Sequence, residues 1–268
     1  MTNSDANTAR LTPAQRAQKL SELHAAPEIL RVVNVWDVVS AKAILELPET
    51  KALATAGHSI AATFGYADGE NIPLELVLDM VGRIVEVAGD VPVSADLDAG
   101  FGDPGDTARR AIGVGIVGAN VEDRLKPLAE SVAAVEAIVR AGEAEGVPFA
   151  LNARTDAFVR AGDRPVEQSV ADAIERGRAY LDAGADVVFV PGILDADVTR
   201  RLVDGIGERK VSVIGLPGAL TAAEYEALGV ARISYGPMTQ RVALTALQDV
   251  AKSLYADGAI PSSTRALN

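Results

Sequence analysis

The stretch VPVSADLDAGFGD, residues 91–103, decides how this chain is read. It starts as a strand: Val91, Val93 and Ala95 are apolar, and Pro92 suits the strand's first turn. It then presents Asp96 and Asp98 and breaks at Gly100, Gly102 and Pro104. Two carboxylates two apart on a strand point to one side. They fall at its C-terminal end, where α/β proteins place their chemistry. The glycines let the backbone turn sharply and approach a ligand. Neighbouring carboxylates repel, so the pair calls for a cation. All-oxygen ligands favour a hard one, Mg²⁺ or Mn²⁺. The plain alternative is a polar loop in which Asp103 or Asp106 caps the next helix.

Working outward, short apolar runs alternate with amphipathic ones. Strands are expected at 31–35, 52–55, 91–96, 119–122, 149–153, 186–190, 211–215 and 230–235. Helices are expected at 37–47, 74–88, 104–118, 129–145, 166–183, 195–205, 221–228 and 238–257. Such alternation predicts parallel β/α units, and eight strands predict a closed (β/α)₈ barrel of the TIM type. Thr12 and Pro13 open a further helix through about His24, whose Leu20 and Leu23 suit the barrel's bottom. Residues 1–9 are polar and expected to be disordered, 10–257 form one barrel domain, and 258–268 form a polar tail.

Composition narrows the function. The 268 residues are 49% hydrophobic with 24 glycines, as expected for a packed α/β protein. A net charge of −12 argues against nucleic acid or an anionic membrane as partner. The absence of cysteine excludes disulfides, thiolate metal sites and a cysteine nucleophile or acid. With no signal-peptide pattern and no apolar run of membrane length, a cytoplasmic location is the expectation.

The other strand ends add polar groups. The second runs into GHSIAATFGYADGENIP, residues 57–73. Gly57, His58 and Ser59 open a helical turn suited to an anion, and Tyr66, Asp68 and Glu70 lie on a glycine-rich, lid-like loop. The fourth strand ends in Glu122, Asp123 and Arg124; the fifth brings Asn152, Arg154 and Asp156. Arg154 suits a bidentate grip on a substrate carboxylate, with a structural salt bridge to Glu122 or an Asp as the alternative. Trp36 and Asp37 follow the first strand and are expected at the pocket's bottom, although Trp36 equally fits the core. His24 is read as packing. In a barrel these strand ends converge on one rim, as a metal beside an anion site.

At these residues the chain resembles the isocitrate lyase/phosphoenolpyruvate mutase superfamily. The matching passages are NVWDVVSAKAI, ATFGYADGENIP, SADLDAGFGD, NVEDR, NARTDAF, AGADVVFVPG and GVARISYGP, spread from Val33 to Leu254. The resemblance implies a (β/α)₈ barrel that often exchanges its eighth helix between subunits, commonly as a homotetramer. It implies Mg²⁺ and an enolate of an α-oxo acid. On matched positions, Asp98 is the nearest metal ligand, Asp96 and Glu122 hold the metal's waters, and Asp68 contributes from the lid side. Arg154 holds a carboxylate or phosphonate, and backbone groups near Gly57 and His58 hold the α-carboxylate.

The departures limit the reading. Where the lyases carry a Lys-[KR]-Cys-Gly-His loop, this chain reads RLKPLAESV, with neither Cys nor His. The family's serine in the anion-binding turn stands as Gly57, with Ser59 displaced. A glutamate common after the sixth strand is replaced by Pro191-Gly192. The leading expectation is a Mg²⁺-dependent enzyme, Mn²⁺ being the alternative ion, that acts on a small 2-oxo- or 2-hydroxy-acid by C–C bond cleavage. P–C chemistry, as in a phosphonomutase or phosphonopyruvate hydrolase, is the second reading; Arg154, Arg124 and Lys126 are its available cations. A non-catalytic metabolite binder is the third. Tyr66, His58, Arg124 or a metal-held water are the candidate acid/base groups.

Overall fold

The computed structural model describes residues 10–267; the expected disorder at 1–9 lies outside the described residues, as does Asn268. Nine parallel strand segments follow one another: β1 (Leu30–Val32), β2 (Asn34–Val35), β3 (Leu53–Thr55), β4 (Val93–Asp96) and β5 (Gly118–Glu122), then β6 (Ala150–Arg154), β7 (Val187–Phe189), β8 (Val211–Ile214) and β9 (Arg232–Ser234). Their spatial order is β1-β9-β8-β7-β6-β5-β4-β3-β2. β1 and β2 are successive pieces of one strand, broken only at Val33, so the two ends of the sheet meet. The expected eight-stranded barrel is therefore present.

Asn34 sits at that seam. Its Oδ1 accepts the Tyr235 and Gly236 N–H groups at 2.7 and 2.9 Å, and its Nδ2 donates to the Thr55 carbonyl at 2.9 Å. One buried amide thus satisfies backbone groups at the ends of both neighbouring strands, β9 and β3, where the first strand breaks. At the opposite end, α1 (Pro13–Ala25) plugs the barrel, opened by a capping box between Thr12 and Gln15. Leu20 is fully buried, and a Cβ on Gly118 would come within 2.8 Å of its Cδ2, so a glycine starts β5. His24 is more than packing: Nδ1 lies 2.6 Å from Asp186 Oδ2, and Nε2 lies 3.4 Å from Arg232 Nη1 inside the barrel. Burial pushes its pKa down against the pull of Asp186.

The outer layer comprises α2 (Val38–Leu45), α4 (Leu74–Ala88), α5 (Pro104–Gly113), α6 (Leu128–Ala144), α7 (Val166–Asp182), α8 (Ala196–Ile206) and α9 (Ala222–Ala227). The helix expected to reach 118 stops at Gly113. Gly115 turns left-handed at φ 93° and the Ile116 N–H returns to the Ala111 carbonyl at 3.1 Å, closing the helix end. A short helix, α3 (Gly57–Thr63), extends the expected helical turn after β3.

The last helix, α10 (Met238–Ala256), does not cover the barrel. Only Gln240 is buried among its residues, and Val242, Leu244 and Leu247 are more than half exposed. The outside of the first strand between α2 and α9 stays open as a groove of about 580 Å³ that includes Ile29, Val33, Ile44 and Leu47. No helix among the described residues is long and apolar enough to cross a membrane.

Candidate active site

The C-terminal ends of the strands surround a cleft of about 790 Å³. β4 ends at Asp96, as the strand expected at 91–96 does, so Asp98 is not a second residue of that strand but lies beyond it in a left-handed turn at φ 48°. Both carboxylates still face the cleft. The Asp98 carbonyl accepts the Glu122 N–H at 2.7 Å, fastening the turn to the end of β5. Gly100 follows at φ 91°, where a Cβ would also meet Pro104 at 2.7 Å. Asp103 caps α5 through the Asp106 N–H at 3.0 Å, as the plain reading of this loop expects.

Asp96 and Asp98 share a tight corner. A Cβ on Gly57 would stand 3.2 Å from Asp96 Oδ2 and 3.5 Å from Asp98 Oδ2. The Gly57 N–H, expected to receive a substrate carboxylate, instead donates to Asp96 Oδ2 at 2.9 Å. Among the described residues neither aspartate is paired with a lysine or arginine, unlike Glu122 beside them. Burial, reinforced by the charges of Asp96, Glu122, Asp68 and Glu70, raises the Asp98 carboxyl to about 8. Burial likewise raises Asp96 and Glu122 above the usual carboxylate range.

Glu122 is held from both sides. Arg154 Nη1 lies 2.8 Å from Oε2 and Arg124 Nε lies 3.0 Å from Oε1. Arg154 also pairs with Asp156 Oδ1 at 2.8 Å and stands 6.0 Å from the centroid of the Phe189 ring. The structural salt bridge considered for Arg154 is therefore real. A guanidinium carries five N–H groups, and these contacts leave some of them for the cleft.

Two residues to which the sequence assigns no role of their own, Glu70 and Asp123, build this arrangement. Glu70 latches the 65–73 loop: Oε1 accepts the Ala99 and Phe101 N–H groups at 3.1 and 2.6 Å, and Oε2 pairs with Arg124 Nη2 at 3.1 Å. Asp123, 6% exposed, points outward from β5. It accepts from the Leu125 and Asp156 N–H groups at 2.9 and 3.0 Å, from the Tyr180 hydroxyl at 2.7 Å and from Arg176 Nη1 at 3.2 Å. It thereby holds Arg124 and Leu125 in successive left-handed conformations, each of which costs roughly 1–2 kcal/mol. Alternation alone pointed to it, because Glu122 faces in and its neighbour must face out.

Other expected residues fall elsewhere. Trp36 packs against the core and Asp37 caps α2, accepting the Ser40 N–H at 2.7 Å; both border a separate groove beside Arg265 and Leu267. Ser59 is fully buried under α3 and does not reach the cleft. Tyr66 is 40% exposed on the loop and lies outside the cleft. Lys126 is behind the barrel wall, in a crevice beneath α6. His58 and Asp68 do line the cleft, with Nδ1 3.4 Å from Oδ2, and Arg124 and Arg154 line it too.

Residues 20–255 match the phosphoenolpyruvate phosphomutase family. The chain belongs to this family. It is 29% identical to the protein named "Probable 2-methylisocitrate lyase 2" of Corynebacterium glutamicum, over 91% of this chain and 83% of that one. It is 30% identical to an oxaloacetate decarboxylase of Rhodopseudomonas palustris, over 89% and 84%. A solved candidate phosphonomutase from Burkholderia cenocepacia J2315 superposes with a TM-score of 0.84 at 34% identity, covering 90% of this chain and 99% of that one. Family membership places the chain among the C–C lyases and phosphomutases of the phosphoenolpyruvate mutase/isocitrate lyase superfamily, and it is an enzyme of that group.

The donor set fits a hard divalent cation. Two oxygen-only side chains meet without a cation of their own, and repulsion between them is what such an ion relieves. Among the described residues no three His, Asp or Glu side chains group closely enough to ligate one ion between them. Mg²⁺ takes one or two carboxylates directly and keeps several waters.

Proposed function

We propose that the protein is a Mg²⁺-dependent lyase that cleaves a C–C bond of a small 2-oxo- or 2-hydroxy-acid through an enolate. The observation that carries this is Asp98: a cleft-facing carboxylate raised to about 8, beside Asp96 and without a basic partner among the described residues. Asp98 would hold the ion directly, with Asp96, Glu122 and Asp68 holding its waters, and the ion would supply positive charge against the negative charge that develops on the substrate.

The chain's own groups do the rest. Arg154 grips an acid group of the substrate with the N–H groups that Glu122 and Asp156 leave free. His58, oriented by Asp68 at Nδ1, takes the substrate hydroxyl proton at Nε2. As that proton leaves, the C–O⁻ becomes a carbonyl, the adjacent C–C bond breaks and its electron pair passes into the enolate. The proton held on His58 balances the one the enolate carbon takes up before release. The Glu70 latch fixes the 65–73 loop, which brings Asp68 to the cleft.

C–C cleavage is preferred to P–C chemistry because Lys126, one of the three cations the sequence offers to a phosphonate, lies outside the cleft. The exposed apolar face of α10 and the open groove over the first strand support exchange of this helix between subunits of a homotetramer. Sizing in solution tests this: four chains are expected, and a stable monomer removes it.

The function is tested by thermal shift with oxalate, small oxo-acids and phosphonopyruvate, each with and without Mg²⁺. Stabilisation by oxalate or an oxo-acid only with Mg²⁺ is expected. Stronger stabilisation by phosphonopyruvate transfers the assignment to P–C chemistry, and no Mg²⁺ effect at all removes the enolate reading.

A further inference from the structure

Behind the cleft, on the far side of the same barrel wall, a crevice of about 290 Å³ lies between β5, β6 and α6. Glu122 and Arg154 border both spaces, so a single thickness of strand separates them. Alternation explains the arrangement: Glu122 and Arg154 point into the cleft, while Val121 and Ala153 turn outward to the crevice. α6 lines the other side with Ala133, Ala134 and Ala137, whose short side chains leave the space open. Ala99, next to Asp98, and Asp123, next to Arg124, also border the crevice.

The crevice has an apolar depth and a charged mouth. Val121, Val135, Ile138 and Leu151 form the depth, and all are buried. Lys126 and Glu130 line it too, and both are exposed. Among the described residues neither forms an ion pair, although the arginines on either side of them in sequence, Arg124 and Arg140, do. The Lys126 backbone is fixed: its N–H donates to the Asp123 carbonyl at 2.9 Å, and its carbonyl accepts Arg176 Nη1 at 3.0 Å. Glu130 stands in the first turn of α6. An anion at this mouth is attracted by Lys126 and repelled by Glu130, and a cation meets the reverse. A molecule carrying both signs, with an apolar body, satisfies the whole crevice.

We propose that this crevice is an effector site for a small apolar α-amino acid. The carboxylate pairs with Lys126, the ammonium with Glu130, and the aliphatic side chain enters between α6 and the barrel wall. The occupant bears on the backs of the two strands whose ends carry Glu122 and Arg154. It also bears on Asp123, which accepts the Leu125 and Asp156 N–H groups and so fixes both loops of the rim. Held in place by the occupant, the rim receives the divalent ion more readily, and amino acid and ion each tighten the other's binding. The coupling rests on the metal reading above; the site itself does not.

The test is calorimetric titration of L-leucine and L-valine into the metal-free full chain, against isocaproate, isoamylamine and glycine. Isocaproate lacks the ammonium of leucine, isoamylamine the carboxylate and glycine the side chain. Leucine or valine is expected to bind, isocaproate and isoamylamine about 3-fold or more weaker, and glycine about 10-fold or more weaker. Ala134→Leu fills the crevice and weakens leucine about 10-fold or more, and Lys126→Met about 3-fold or more. Mn²⁺ affinity, followed by electron paramagnetic resonance, stays within about twofold of wild type in Ala134→Leu, which shows that the variant is folded. Leucine raises that affinity about 3-fold in wild type and not in Ala134→Leu. Isocaproate as tight as leucine, no amino acid bound, or wild-type leucine affinity in Ala134→Leu each overturns the site. Leucine bound with Mn²⁺ affinity unmoved overturns the effector role. Leucine bound where no Mn²⁺ site is found removes the metal reading, and the effector role with it, but not the site.

Discussion

Glu122 and Arg154 are register partners at the ends of β5 and β6, and their side chains meet across the strands at 2.8 Å. The pairing serves both fold and chemistry. It neutralises one carboxylate of an acidic rim and orients a guanidinium whose remaining N–H groups face the cleft. Glu122→Gln keeps the shape but removes the charge. It is expected to lower kcat/KM by about 100-fold and to change stability by less than about 1 kcal/mol, because the burial that raises the Glu122 carboxyl offsets its pairing with Arg154. Steady-state kinetics and denaturant melts check both numbers; unchanged kcat/KM contradicts the placement of Glu122 beside the reacting groups.

Asp98 makes the metal-free protein sensitive to alkali. Its carboxyl titrates at about 8 in the folded protein and at about 3.9 in an unfolded chain. Between those values the folded state binds more protons, so stability falls as pH rises from about 4 to about 8. Thermal melts in EDTA are expected to show that slope. Asp98→Asn flattens it and raises the melting temperature at pH 8, and Mg²⁺ does the same for wild type. A melting temperature of wild type that rises over this range contradicts the account.

The Glu70 latch ties the 65–73 loop to the turn at 99–101 and to Arg124. Glu70→Ala frees two backbone N–H groups and one ion-pair partner. Faster proteolytic cutting within the loop and a loss of about 10-fold in kcat/KM are expected, with the melting temperature nearly unchanged. Loop cutting at the wild-type rate shows that the latch is not what holds it.

Asp123 has four partners and almost no exposure. Asp123→Ala leaves Arg176 and the Tyr180 hydroxyl without their buried acceptor. A loss of roughly 3–5 kcal/mol is expected in urea unfolding. A loss under about 1 kcal/mol indicates that water replaces the carboxylate.

The barrel was legible because each strand carries a short apolar run and each inward position alternates, as Asn120 with Glu122 and Asn152 with Arg154 show. The carboxylate and arginine rim follows from those alternations. What lay hidden is non-local. Glu70 meets residues about thirty positions away, and nothing in DGEN announces the turn it caps. Trp36 and Asp37 follow a strand, which by pattern points them to the pocket, yet Asp37 and Ser40 carry a local capping pattern that fixes Asp37 to α2 instead. Tyr66 was drawn in by its chemistry, and the loop turns it outward.

The most direct test of the central claim is a count of divalent ions bound. Mn²⁺ titrated into the metal-free protein and followed by electron paramagnetic resonance is expected to give one site per chain in wild type. Asp98→Ala is expected to weaken that site by at least ~100-fold, with the circular dichroism spectrum unchanged. One Mn²⁺ bound to Asp98→Ala at wild-type affinity contradicts the assignment of this cleft as the seat of the metal.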